Sequence, residues 1–294
     1  MSAGEHRPSR RERLTAAAVS ALQRAGLDGL AYSAPLRRLG KRFLLRDDAR
    51  PRARQIASGL GRGLALRVLP ETPKSYWLGT HEPHMQAALR ASIRPGMTVY
   101  DCGANVGYFS VMFARLVGEG GRVYAFEPSP ASAECLAAAR ELNGFRNLEV
   151  VPAAVWEKGG TLRFVRGGAD ASLVSDHVEG VFGDALDGGA DAGSFVDVAA
   201  VSLDEFVYEG NHPPPDFIKL DVEGAEGRAV GGARRLLAER RPGLLLEIHG
   251  APGREVWEVL REFDYTPTNI ADGRVPETAE EFAVWIRQYL ALPN

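Results

Sequence analysis

From Met97 onward the chain alternates short β-branched or aromatic runs with longer amphipathic stretches, and no other feature constrains its fold as much. The pattern predicts strands at Thr98–Cys102, Arg122–Phe126, Leu148–Val151, 216–221 and Gly243–His249. It predicts helices over Tyr108–Val117, 131–142 and 254–263, with a turn and one helix in 224–240. Repeated strand–helix units imply a mostly parallel sheet covered by helices on both faces. A last strand at 282–286 would close the sheet antiparallel. The expected fold class is therefore α/β, a doubly wound Rossmann-like sheet with an N-terminal helical arm. Residues 157–200 interrupt the alternation and are rich in Gly, Asp and Ala. They read as a hairpin, with strands at 161–165 and 196–201, around an insertion near 166–195. Such insertions serve as lids or substrate loops, or as plain linkers.

Upstream, residues 1–54 read as a basic helical arm with helices at 14–30 and 35–45. Residues 55–96 read as a strand or hairpin and a helix at 84–93 leading into the core, and 97–294 as the α/β domain. Charge follows this division. Residues 1–74 hold 16 Lys and Arg against 6 Asp and Glu, whereas the whole chain carries −3. The arginines are scattered among Leu and Ala, which favours an arm packed on an acidic body over a nucleic-acid or lipid contact. No apolar run has the length of a membrane span. The apolar stretch 14–22 is broken by Gln23 and Arg24 and lacks a small-residue cleavage site, so a cytoplasmic location is expected. Cys102 and Cys135 form neither a CxxC pair nor a zinc array, which fits a reducing compartment.

The chemistry is concentrated in Tyr100-Asp-Cys-Gly-Ala-Asn-Val-Gly-Tyr108. A strand ends there in a glycine-bearing turn that opens a helix, whose free N–H groups favour an anion. Twenty residues after Gly107 stands Glu127, at the next strand end, where a carboxylate can accept both hydroxyls of a ribose. A dinucleotide fingerprint would need glycine at Asn105 and Tyr108. A pyrophosphate would also meet Asp101 at close range. A zwitterionic amino-acid tail avoids that clash, with its ammonium on Asp101 and its carboxylate on the turn amides. Ribose plus amino-acid tail specifies S-adenosylmethionine.

The segment from about Gly79 to Gly250 resembles the FkbM family of methyltransferases. The resemblance rests on Gly79-Thr-His-Glu82, Val99 to Ser110, Ala125-Phe-Glu-Pro128, Val201-Ser-Leu-Asp204, Asp216 to Glu226 and Leu244 to His249, in that order. It implies a class I methyltransferase fold and an S-adenosylmethionine-dependent enzyme. It further implies O-methylation of a hydroxyl on a sugar, glycan or secondary metabolite. Around the cofactor it implies Asp101, Gly103, Ala104, Asn105, Gly107 and Glu127, to which Pro128 and Asp221 are added by position.

A hydroxyl acceptor must lose its proton as the new bond forms. His249 and Asp221 are the expected catalytic pair, facing one another from adjacent strand ends. Glu82, His81 and Glu223 are the reserves, and Glu247 reads as a salt-bridge partner, of Lys219 for example, at least as readily as a catalytic group. Asp221, Glu223, Glu247 and His249 could alternatively hold Mg²⁺, a cofactor that is possible but not favoured, and no metal ligand is assigned. The expected partner is a small-molecule or glycan acceptor, and no nucleic acid is expected, because no N-P-P-Y-like run ends a core strand. The alternatives are a nucleic-acid methyltransferase, a noncatalytic Rossmann-like binding module and an NAD-dependent enzyme.

Overall fold

A computed structural model describes residues 51–165 and 195–294, with Arg10, Leu14 and Ala17 as single helical positions. The rest of the predicted arm helices, and the insertion up to residue 194, lie outside the described residues. In chain order the elements are β1 (Arg52–Gln55), β2 (Ala65–Val68), α1 (Ser75–Leu78), α2 (Pro83–Ser92), β3 (Thr98–Cys102), α3 (Tyr108–Val117), β4 (Arg122–Phe126) and α4 (Pro130–Asn143). Then follow β5 (Leu148–Val151), β6 (Ala153–Val155), β7 (Gly160–Val165), β8 (Phe195–Val201), a π-helical turn (Glu205–Glu209) and β9 (Phe217–Leu220). The chain closes with α5 (Glu226–Gly231), α6 (Arg234–Glu239), β10 (Gly243–His249), α7 (Gly253–Glu262), β11 (Tyr265–Asn269), α8 (Ala279–Phe282) and β12 (Trp285–Pro293).

Seven strands form the central sheet in the order β11-β12-β10-β9-β3-β4-β5. The run from β10 to β5 is parallel, and β12 lies antiparallel to β10. The edge strand β11 pairs antiparallel with β12. It went unpredicted because Pro267 sits within it, and proline is tolerated on an edge where no ladder N–H is required. The expected closing strand at 282–286 is displaced: Phe282 ends α8, and β12 begins at Trp285. The expected single helix in 224–240 is broken into α5 and α6 at Gly231 and Gly232, where a Cβ on Gly232 would lie 2.2 Å from the Trp156 carbonyl oxygen. Strands β7 and β8 form the predicted hairpin, and β6 joins it parallel to β8.

Alternation along the strands builds two cores. Tyr100, Cys102, Tyr124 and Phe126 face one cluster with Leu236, Val256 and Leu260 from α6 and α7. Val99, Val123 and Ala125 face the other, with α3 and α4. Adjacent strand residues point to opposite faces, so each parallel strand serves both layers. Helix α3 is apolar nearly all round because a second layer covers it: Ile56 and Leu66 of the hairpin and Met85 and Leu89 of α2 pack in the same cluster. Asn143 of α4 fastens this cover, accepting from the Ala65 amide and donating to its carbonyl.

The cover begins earlier than expected. Strand β1 starts at Arg52, inside the stretch assigned to the arm, and pairs with β2. A chain lacking residues 1–50 should therefore melt within a few degrees of the full chain. Removing residues 1–55 deletes β1 and should lower the melting temperature by more than about 4 °C, a loss near 1–2 kcal/mol. Thermal denaturation of the two truncations decides this, and equal values would remove β1 from the fold.

Candidate active site

Strand order reverses between β3 and β9: the chain runs from β3 outward to β4 and β5, then returns to β9 on the other side of β3. Open α/β sheets hold ligands outside the C-terminal strand ends at such a point. A cavity lies there, lined by Gly103, Ala104 and Asn105 after β3, and by Glu127, Pro128 and Ser129 after β4. Lys219, Asp221, Val222 and Glu223 line it from β9, and Glu247 from β10. Its remaining wall includes Tyr76, His81 and Glu82, which precede the core, and Tyr108 and Phe109 of α3.

The turn is as sharp as expected, but its polar groups are directed inward. The Gly103 and Ala104 amides donate to the Phe126 carbonyl, and the Gly107 amide to the Ala104 carbonyl. The Asn105 amide donates to Glu127, and the Val106 amide to the Asn105 side chain. No amide from 103 to 107 is left for a ligand carboxylate, contrary to the sequence-based expectation. Gly103 has φ +79, and a Cβ there would lie 1.7 Å from the Asp221 carbonyl oxygen. Glycine is thus required by the neighbouring strand end. Gly107 also has positive φ, and its missing Cβ makes room for Leu136 rather than for a ligand.

Asp101 does not line the cavity. It is fully buried, its Oδ2 accepts from Ser110 Oγ at 2.5 Å, and its Oδ1 faces Lys219 Nζ at 3.5 Å. Lys219 Nζ also lies 3.0 Å from Asp221 and donates to the Gly103 carbonyl at 3.2 Å. Burial works against the ammonium, but Asp221 and Asp101 outweigh it and push the Lys219 pKa up. Burial pushes the Asp101 carboxyl up in turn, against the pull of Lys219 and Ser110. The protein's own ammonium therefore occupies the place expected for the ligand's.

Glu127 ends β4 as predicted. Its two oxygens accept from the Asn105 and Ser129 amides, each at 2.7 Å, which fixes the carboxylate plane and leaves one lone pair per oxygen. Burial pushes its pKa up to about 7, against the opposing pull of those two amides and of Lys219.

At the ends of β9 and β10, atoms of Asp221, Glu247 and His249 lie within 4.8 Å of one another, so the predicted convergence is present. Such a trio could grip a cation. His249 itself is not among the residues lining the cavity; it is buried, with Nδ1 2.8 Å from Glu226 Oε1 and Nε2 3.4 Å from Glu223 and 3.6 Å from Glu247. Burial opposes the imidazolium, but Glu226, Asp221 and Glu223 together push its pKa up to about 9. These acids favour the imidazolium over the neutral base expected. Glu247 reaches the cavity and accepts from Gln288 at 2.8 Å; burial, with Asp221 and Glu82, pushes it up to about 8. Sequence reasoning missed Glu226, although it closes the Asp216 to Glu226 motif, and missed the rings of Tyr76, His81 and Tyr108. Those rings pack together at a tilt, with centroids 4.3 Å apart for Tyr76–His81 and 4.8 Å for Tyr76–Tyr108.

The sheet order, antiparallel only at β12 and β11, and the carboxylate that follows β4 fit the class I methyltransferase fold that the sequence resemblance implies. A family model described as the methyltransferase FkbM domain matches residues 101–287. The 31-O-demethyl-FK506 methyltransferase FkbM of Streptomyces tacrolimicus is 30% identical over 203 residues, covering 59% of this chain and 74% of that protein. The protein-L-isoaspartate O-methyltransferase of Aeropyrum pernix is 42% identical over 66 residues, 22% of this chain and 25% of that protein. A solved methyltransferase FkbM structure from Methylobacillus flagellatus overlays with a TM-score of 0.41 at 19% identity, over 74% of this chain and 52% of that one. This chain thus spans about half the length of that structure. The chain belongs to the FkbM family of S-adenosylmethionine-dependent methyltransferases.

Two outcomes follow from this geometry. Gly103→Ala forces the Asp221 carbonyl away and strains a left-handed residue, so stability should fall by at least about 2 kcal/mol in a denaturant titration. A change below about 0.5 kcal/mol would show that the two strand ends are not in contact. For Glu127, the carboxylate is the receptive form, and protonation below its pKa of about 7 must be reversed for a ribose to bind. Affinity for S-adenosylhomocysteine should therefore weaken by up to about tenfold per unit as pH falls below that value, and be insensitive to Glu127 above it. Glu127→Ala should weaken binding by on the order of 2–4 kcal/mol, abolish that slope, and lower the melting temperature by orphaning two amides. Calorimetric titration from about pH 5.5 to about 8.5 checks the affinity and its slope, and thermal denaturation checks the melting temperature; a variant that binds like wild type removes Glu127 from the site.

Proposed function

We propose that this protein transfers a methyl group to a hydroxyl oxygen of a small-molecule or glycan acceptor, such as a sugar or secondary metabolite. One observation carries the reading: Asp221, Glu247 and His249 converge beside the cavity, with Asp221 and Glu247 lining it. The residues fit the cofactor. Glu127 offers two lone pairs at the ribose position, and the lining acids Glu82, Asp221, Glu223 and Glu247 outnumber the lining ammonium of Lys219. That excess of negative charge suits a ligand bearing a sulfonium and an ammonium. When bound, S-adenosylmethionine supplies an electrophilic methyl group and a thioether leaving group.

The chain's own part is to place the acceptor oxygen and take its proton. Glu247, in the carboxylate form it takes above its pKa of about 8, is the group we assign to receive that proton, since it reaches the cavity where His249 does not. Asp221, fixed by Lys219, orients the hydroxyl. His249, held by Glu226, lies 3.6 Å from Glu247 and stabilises its carboxylate. An oxygen acceptor agrees with the name of the Streptomyces tacrolimicus relative, a methyltransferase of 31-O-demethyl-FK506. A polyanionic nucleic acid is the poorer partner, because its phosphates would face the same acids that favour the cofactor.

His249→Ala and Glu247→Gln should each lower kcat by roughly 10²–10⁴ while S-adenosylhomocysteine affinity stays within a few-fold. EDTA should leave the wild-type rate unchanged. The assay is transfer of labelled methyl to a panel of hydroxylated metabolites and glycans. Full activity of both variants would take the chemistry away from this cluster, and loss of wild-type activity in EDTA would replace the proton acceptor by a metal ion.

A further inference from the structure

The cofactor's methionine tail carries an ammonium, and Asp101, the carboxylate expected to receive it, is closed off by Ser110 and Lys219. Another acid must serve. Glu127 is bound to two amides at the ribose position, and Asp221 is paired with Lys219. Glu223 and Glu247 face His249. Glu82 remains. It lines the cavity, its Oε1 lies 3.1 Å from His81 Nε2, and its Oε2 is buried with no hydrogen-bond partner among the described residues. A buried carboxylate oxygen without a donor is costly, and native structures keep few of them without a reason.

The backbone at Glu82 points the same way. It is held at φ 44 and ψ 68, in the left-handed region, although it is not glycine and precedes Pro83. Glu82 stands at the N-cap of α2, yet its side chain makes no capping hydrogen bond, so helix capping does not explain the strain. Gln86 locks the segment: its Nε2 donates to the His81 carbonyl at 2.6 Å and to Tyr108 Oη at 3.0 Å, and its Oε1 accepts from the Leu60 amide at 2.8 Å. Strain kept in place by a buried hydrogen-bonded residue is a mark of a preorganised site. Beside it, the rings of Tyr76 and Tyr108 line the cavity and pack on one another with centroids 4.8 Å apart.

We propose that Glu82 is the residue that receives the α-ammonium of the S-adenosylmethionine tail. The assignment rests on the cofactor belonging in this cavity, and the test separates the two. Wild type and Glu82→Gln are titrated calorimetrically with three ligands. S-adenosylhomocysteine has the whole tail, S-adenosyl-4-thiobutyrate lacks only the ammonium, and 5′-methylthioadenosine lacks the tail's amino acid altogether. Wild type should prefer S-adenosylhomocysteine over the deaminated ligand by roughly 10–100-fold, and Glu82→Gln should reduce that preference to within about threefold. Affinity for 5′-methylthioadenosine should be the same in both proteins. Should Glu82→Gln fail to fold, Glu82→Asp, which keeps the charge but withdraws it, should show a preference below that of wild type. A preference retained in full by the variant, or an equal loss for all three ligands, overturns the assignment. If wild type binds none of the three, the cofactor placement fails and takes this assignment with it.

Discussion

A single buried ammonium organises the site. Lys219 lies between Asp101 and Asp221 and reaches the Gly103 carbonyl, so it ties the end of β9 to the turn after β3. Moving an ammonium out of water costs several kcal/mol, and here two carboxylates and a carbonyl offset it. The contact draws the strand ends so close that only glycine fits at position 103. It also fixes Asp221 at the cavity and holds Asp101 beneath it. The cleft that a doubly wound sheet opens at its switch point thus acquires both its shape and its charge from one lysine.

With Lys219 committed to Asp101 and Asp221, the other acids around the cavity still outnumber the groups that face them, His81 beside Glu82 and His249 beside Glu223 and Glu247. The upward shifts at Glu127 and Glu247 register that imbalance: both carboxyls are buried, and negative neighbours add to the effect. A cationic ligand relieves it. On the proposed reading the same charge that attracts the cofactor turns away phosphates, while the aromatic wall of Tyr76, His81 and Tyr108 supplies apolar contact. Tyr76 and His81 of that wall come from the segment that precedes the core, so on this reading the segment contributes to the site.

The parallel strands were legible because strand-period runs bounded by turn residues have few other folds open to them: β3, β4, β5 and β10 have the bounds read from sequence. Short or proline-bearing strands were not, as β6 and β11 show. The strand-end motif was legible too, down to Glu127. What the sequence could not disclose is which polar groups meet. Asp101 was assigned a ligand because its partner, Lys219, lies 118 positions away and no local rule pairs them. His249 was assigned a neutral imidazole because Glu226 lies on a different element. The turn amides were assigned to an anion because their acceptors, the Phe126 carbonyl and Glu127, come from the next strand. In each case residue type was read correctly and its occupancy by another residue was not.

The central claim is that the cavity at the β3/β9 switch point holds S-adenosylmethionine through Glu127 and an excess of carboxylates. Isothermal titration of the wild-type chain with S-adenosylhomocysteine and, in parallel, with NAD tests it most directly. Saturable one-to-one binding of S-adenosylhomocysteine, accompanied by proton release near neutral pH and with no heat from NAD, is the predicted result. Binding of NAD instead, or no binding of either ligand by a folded sample, would contradict it.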